Sequence, residues 1–159
     1  MITVDDLRFM DLAIEEAAAG LAEGGIPIGS ALVCDGKVLG RGHNRRIQRG
    51  SVVLHGEMDA LENAGRLPAR VYRNSTIYTT LSPCAMCSGA MILYGIRRVV
   101  IAENTTFMGE EDLLRSRGMQ VEAFSEADAD QAARRAKCIA MMKQFIAANP
   151  RQWNEDIGV

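Results

Sequence analysis

The chain has 159 residues, 48% of them hydrophobic and 24% charged, which suits one domain with a continuous core. Eighteen Lys and Arg against 20 Asp and Glu leave a formal charge of −2, so bulk electrostatic gripping of nucleic acid is disfavoured. Four cysteines are too few for a disulfide scaffold, no apolar run approaches the roughly 18 residues of a membrane span, and residues 1–8 carry Asp5 and Asp6 where a signal peptide needs basic groups, all pointing to a soluble, cytoplasmic protein with no membrane partner.

Taken in chain order, Leu7, Met10, Ile14, Ala17, Ala18 and Leu21 recur at helical spacing, with Thr3 or Asp5 to cap the start and Gly24-Gly25 to end it. Residues 28–34 and 37–42 read as strands flanking Asp35-Gly36, a hairpin signal. An arginine-rich loop spans 43–51, a helix 53–64 closed by Gly65, and a strand 75–81 broken by Ser82-Pro83. A helix over 85–94 follows, then a strand over 98–102, a loop, a short helix over 110–117 and a strand over 119–124. Ser125 is expected to cap a long helix that Asn149-Pro150 stops, leaving a nine-residue tail. Strand–helix–strand units predict parallel neighbours and the hairpin adds an antiparallel strand. The expected class is therefore α/β, a three-layer α/β/α sandwich around a mixed five-stranded sheet, with residues 1–159 as a single domain.

Two motifs carry chemistry. His55-Gly56-Glu57 and Pro83-Cys84-Ala85-Met86-Cys87 each sit where the chain enters a helix, and free N–H groups there favour anions. His55, Cys84 and Cys87 make three zinc ligands, which leaves the fourth tetrahedral position open for water. Glu57 is placed to carry protons, and H-x-E with a distant P-C-x-x-C is the signature of zinc nucleobase deaminases. A structural zinc half-site or redox pair is the alternative for C-x-x-C alone, but Cys34 and Cys138 stand apart and are expected in the core. His43 is expected to support the loop at Asn44.

The chain resembles the cytidine and deoxycytidylate deaminase superfamily, and within it the fungal-type cytosine deaminases that act on the free base. Stretches carrying the resemblance include Glu23-Gly24-Gly25-Ile26-Pro27-Ile28-Gly29, Gly40-Arg41-Gly42-His43-Asn44, Leu54-His55-Gly56-Glu57, Tyr78-Thr79-Thr80-Leu81-Ser82-Pro83-Cys84 and Glu155-Asp156-Ile157-Gly158. It implies a cytidine deaminase-like fold, one zinc ion per subunit and hydrolysis of cytosine to uracil and ammonia. It also implies a pocket. Asn44 and the Gly56 N–H would hold the base edge, Glu57 would serve the ring nitrogen, and the Cys84 N–H would face the developing oxyanion. The Ser82 carbonyl and Asp156 would accept from the exocyclic amine, with Phe107, Trp153 and Ile157 as a lid and Ile26 and Leu81 beside the ring. Homodimerisation is implied too, with Met91, Ile92 and Tyr94 of the 86–94 helix offering an apolar face.

Ala85 and Asn154 depart from the fungal pattern. Deamination of guanine, isocytosine or a related cyclic amidine therefore stays open as an alternative. So does tRNA adenosine deamination, for which Arg41, Arg45, Arg46 and Arg49 offer a phosphate-sized cluster. A zinc-stabilised interaction module is the non-enzymatic reading, and it requires a fourth protein ligand.

Overall fold

The structure is a computed structural model that describes residues 1–159. Helix α1 (Val4–Ala22) opens with a capping box: Asp6 N–H donates to the Thr3 hydroxyl while the Thr3 N–H donates to the Asp6 carboxylate. Strands β1 (Gly29–Cys34) and β2 (Lys37–His43) follow, joined by a turn in which Asp35 has φ 50° and Gly36 φ 74°. Positive φ at both central residues is the turn that matches strand twist, as the Asp-Gly pair predicts.

Helices α2 (Arg46–Arg49), α3 (Gly56–Ala64) and α4 (Ala69–Arg73) lead to β3 (Ser75–Leu81), then α5 (Ala85–Tyr94) and β4 (Arg98–Glu103). Helix α6 (Glu111–Ser116), β5 (Gln120–Ala123), α7 (Ala129–Ala148) and α8 (Pro150–Asp156) complete the chain. The sheet order is β2-β1-β3-β4-β5. Strand β1 is antiparallel to both β2 and β3, whereas β3–β4 and β4–β5 are parallel, so the mixed five-stranded sheet is as expected.

Alternation along the strands builds two cores. Val33, Tyr78, Val100 and Ala102 face α1 and α7, where they meet Phe9, Met10, Ile14, Cys138 and Met141. Their neighbours Leu32, Ile77, Val99 and Ile101 face the other way, onto Cys87, Met91, Ile96 and Leu114. Each layer of helices thus covers one face, which is the three-layer arrangement. Gly29 lets α1 lie directly on β1, because a Cβ there would stand 1.9 Å from the Ala13 carbonyl oxygen.

Five expectations need correction. The helix predicted from residue 53 starts at Gly56, because the Ser51 hydroxyl accepts from the N–H groups of Val53 and Leu54 and holds them in a turn. Ser125 likewise caps no helix. Its hydroxyl accepts from Ala127, and Asp128 caps α7 by accepting from Gln131. The expected tail is helix α8, since Pro150 at a first helical position starts a helix as readily as it stops one. Cys34 is half-buried at the hairpin end rather than in the core, while Cys138 is buried and its thiol is pushed up to about 12 by burial and by Glu103. Of the proposed interface face, Met91 is fully buried in this chain's own core, Ile92 is half-buried and Tyr94 is exposed, as is Leu93 beside them.

Candidate active site

The two chemical motifs meet because β3 and α3 deliver them to the same end of the sheet. His55 is the N-cap of α3 and Cys84 the N-cap of α5, and neither side chain caps its own helix. Both are thereby left to reach outward, beside first-turn N–H groups that no preceding turn satisfies. The donor atoms of His55, Cys84 and Cys87 all lie within 4.8 Å of one another. His55 Nδ1 stands 3.4 Å from Cys84 Sγ. Ligands at ordinary zinc bond lengths are separated by about 3.6 Å in a tetrahedron, and the His55–Cys84 pair stands close to that spacing. The other ring nitrogen, Nε2, faces Asp156 at 3.7 Å, the kind of carboxylate partner that orients a metal-binding imidazole. His43 is turned away from this cluster: Nδ1 lies 2.7 Å from Glu16 and Nε2 3.0 Å from Glu23. It therefore supports the Asn44 strand end.

Electrostatics favour metal binding at one thiol. A hydrogen bond from Cys87, opposed by burial and aided by His55, holds the Cys84 thiol down at about 4. Cys87 is pushed well above its usual range by that same contact with Cys84 and by burial. Burial pulls His55 down, but its hydrogen bond to Cys84 and the nearby carboxylates outweigh this and raise it. Glu57 is 3% exposed, and burial, then the Cys84 charge, raise its carboxyl. The Thr79 hydroxyl donates to Glu57 Oε1 at 2.7 Å and fixes the carboxylate's orientation.

These groups line a cavity with about 300 Å³ of empty space, mouth included. Its walls are Ile28, His55, Glu57, Leu81, Ser82, Cys84, Phe107, Trp153, Asp156 and Ile157. Phe107 and Trp153 meet edge to face across it, with centroids 6.1 Å apart. Four further expected residues stand behind the wall. Cys87 is fully buried under Cys84, and Gly56 packs on the Ile28 carbonyl, where a Cβ would come within 2.9 Å. Asn44 is fully buried, its Nδ2 3.4 Å from both Asp156 oxygens. Ile26 sits in the apolar cluster below, and Ile28 takes the lining position. Sequence reasoning missed Ile28, Thr79 and Arg46, although the first two lie within stretches that carried the resemblance.

The arginine-rich loop is largely neutralised. Arg41 pairs with Glu15 and Glu16, Arg45 with Asp59, and Arg46 with Asp156. Of the four arginines only Arg49 makes no ion pair.

Residues 3–103 match the model of the cytidine and deoxycytidylate deaminase zinc-binding region. The chain belongs to that family. A cytosine deaminase of Candida albicans is 50% identical over 158 residues, spanning 99% of each chain. A tRNA-specific adenosine deaminase of Streptococcus pyogenes serotype M18 is 39% identical over 108 residues, 66% of this chain and 67% of its own. Among solved structures, a guanine deaminase from Nitrosomonas europaea superposes with a TM-score of 0.68 at 24% identity, covering 92% of this chain and 86% of its own, which shows the shared fold. The family match ends at residue 103, so Phe107, Trp153, Asp156 and Ile157 come from beyond it. The alignment with the Candida enzyme extends over that region.

Proposed function

We propose that residues 1–159 form one zinc-dependent deaminase domain that hydrolyses free cytosine to uracil and ammonia. The observation that carries this reading is the closure of a small cavity over Glu57 and the metal donors by α8, a segment that the alignment with the Candida cytosine deaminase includes. His55, Cys84 and Cys87 would hold the zinc ion, which would supply an activated water as the nucleophile. Glu57 takes a proton from the attacking water and passes it to the ring nitrogen, then takes the proton of the added hydroxyl and passes it to the amine, which leaves as ammonia. Asn44 and the Gly56 N–H hold the base edge. The Ser82 carbonyl and Asp156 accept from the amine, and the Cys84 N–H faces the developing oxyanion. Phe107, Trp153, Ile157, Leu81 and Ile26 provide the apolar lid and floor that exclude water from the ring.

The pairing of Arg41, Arg45 and Arg46 with carboxylates argues against a phosphate-reading surface and hence against a tRNA substrate. No helix is long and apolar enough to cross a membrane; a cytoplasmic site of action is part of the proposal. The working unit in this reading is a homodimer. Exposed Leu93 and Tyr94, with Ile92, border a broad groove between α3, α4 and α5 that a second copy can cover. Ammonia release from cytosine, guanine, isocytosine and adenine, with and without a zinc chelator, tests the substrate. Cytosine should be turned over at least about 100-fold faster than the others, because a site built on hydrogen bonds rejects mismatched bases, and the chelator should abolish it. Faster release from guanine would move the assignment to a purine deaminase.

A further inference from the structure

We propose that Arg46 is a positioning residue: its guanidinium fixes the Asp156 carboxylate for the substrate amine and latches α8, with Trp153, over the cavity. The substrate half of this rests on the cytosine reading above; the latch rests on geometry alone. Arg46 Nη1 donates to Asp156 Oδ1 at 2.6 Å and to the Glu155 carbonyl at 3.3 Å, while Nε donates to the Ser51 carbonyl at 3.3 Å. Its backbone N–H donates to Asn44 Oδ1 at 3.0 Å. One residue therefore holds two of the polar groups assigned to the base, Asn44 and Asp156, from the loop side of the cavity.

The Asp156 side chain is 2% exposed and that of Arg46 19%. A buried carboxylate that loses its cation turns towards water, which removes the oriented acceptor. Helix α8 has seven residues, too few to hold itself in place, so its position depends on what docks it. Trp153 packs against Phe107 in the middle of α8, and the Arg46 contacts pin the C-terminal end. Releasing that end lets the lid swing out, even though no metal donor is disturbed.

Trp153 is the chain's single tryptophan and is 6% exposed, so its fluorescence reports the lid without any substrate. In zinc-loaded Arg46→Gln, KM for cytosine should rise about 30-fold with kcat reduced only a few-fold, as expected when substrate binding rather than the chemical step is impaired. Trp153 emission should shift to the red and become more accessible to acrylamide. A merely structural role would instead lower kcat with the active fraction and leave KM and emission unchanged, which would overturn the proposal. Arg46→Lys restores a cation opposite Asp156 and should return emission to that of the wild type and KM to within about threefold of it. Should Arg46→Gln fail to fold, Arg46→Lys decides: a protected Trp153 supports the latch and an exposed one overturns it. A wild-type chain that leaves cytosine untouched removes the cytosine reading, and the emission of Arg46→Gln then still judges the latch.

Discussion

Glu57→Gln is expected to lower cytosine turnover about 10³- to 10⁴-fold, the usual weight of a positioned acid–base group, while zinc content stays unchanged. The amide oxygen of Gln can still accept from Thr79, so the side chain keeps its place and only its proton capacity is lost. Stability should not suffer. Burial raises the Glu57 pKa, so its ionised form costs more in the folded than in the unfolded chain. In zinc-free protein above pH 5 the neutral amide should therefore melt no lower than the wild type. Steady-state kinetics beside metal analysis and thermal melts checks both parts. Turnover within tenfold of the wild type would place the proton carrier elsewhere.

Cys84→Ser is expected to lose zinc on purification and with it at least about 10⁴-fold in turnover, because the metal is the source of the activated water. The thiol at this position is held down at about 4, so it meets the ion as a thiolate, whereas a serine hydroxyl stays protonated. The secondary structure should survive, since neither His55 nor Cys84 is a buried member of the two large cores, Cys84 only packing against the edge of one. Its melting temperature should fall below that of the zinc-loaded wild type by several degrees, because a ligand bound only to the folded state stabilises it. A variant with full zinc and normal turnover would remove Cys84 from the metal site.

Most of the framework was legible because its signals are local. The Thr3–Asp6 box, the Asp35-Gly36 turn and the strand alternation each need only a few neighbouring residues to act. His55, Glu57, Cys84 and Cys87 were legible for a different reason: zinc chemistry restricts both residue type and spacing. What escaped were features set by distant partners. Helices α2, α4 and α8 have four, five and seven residues, too short to print a hydrophobic period. Thr79 reads as a strand residue until β3 carries it beneath Glu57. Arg46 reads as one of four surface arginines until α8, more than a hundred positions later, brings Asp156 to it. The same folding back turned a supposed cationic loop into a set of ion pairs.

Single-turnover conversion of cytosine by the zinc-loaded chain in oxygen-18 water tests the central claim most directly. The expected product is uracil with one heavy oxygen at the carbon that bore the amine, formed together with an equal amount of ammonia. Unlabelled uracil, or no uracil from a chain carrying its zinc, would contradict hydrolytic cytosine deamination at this site.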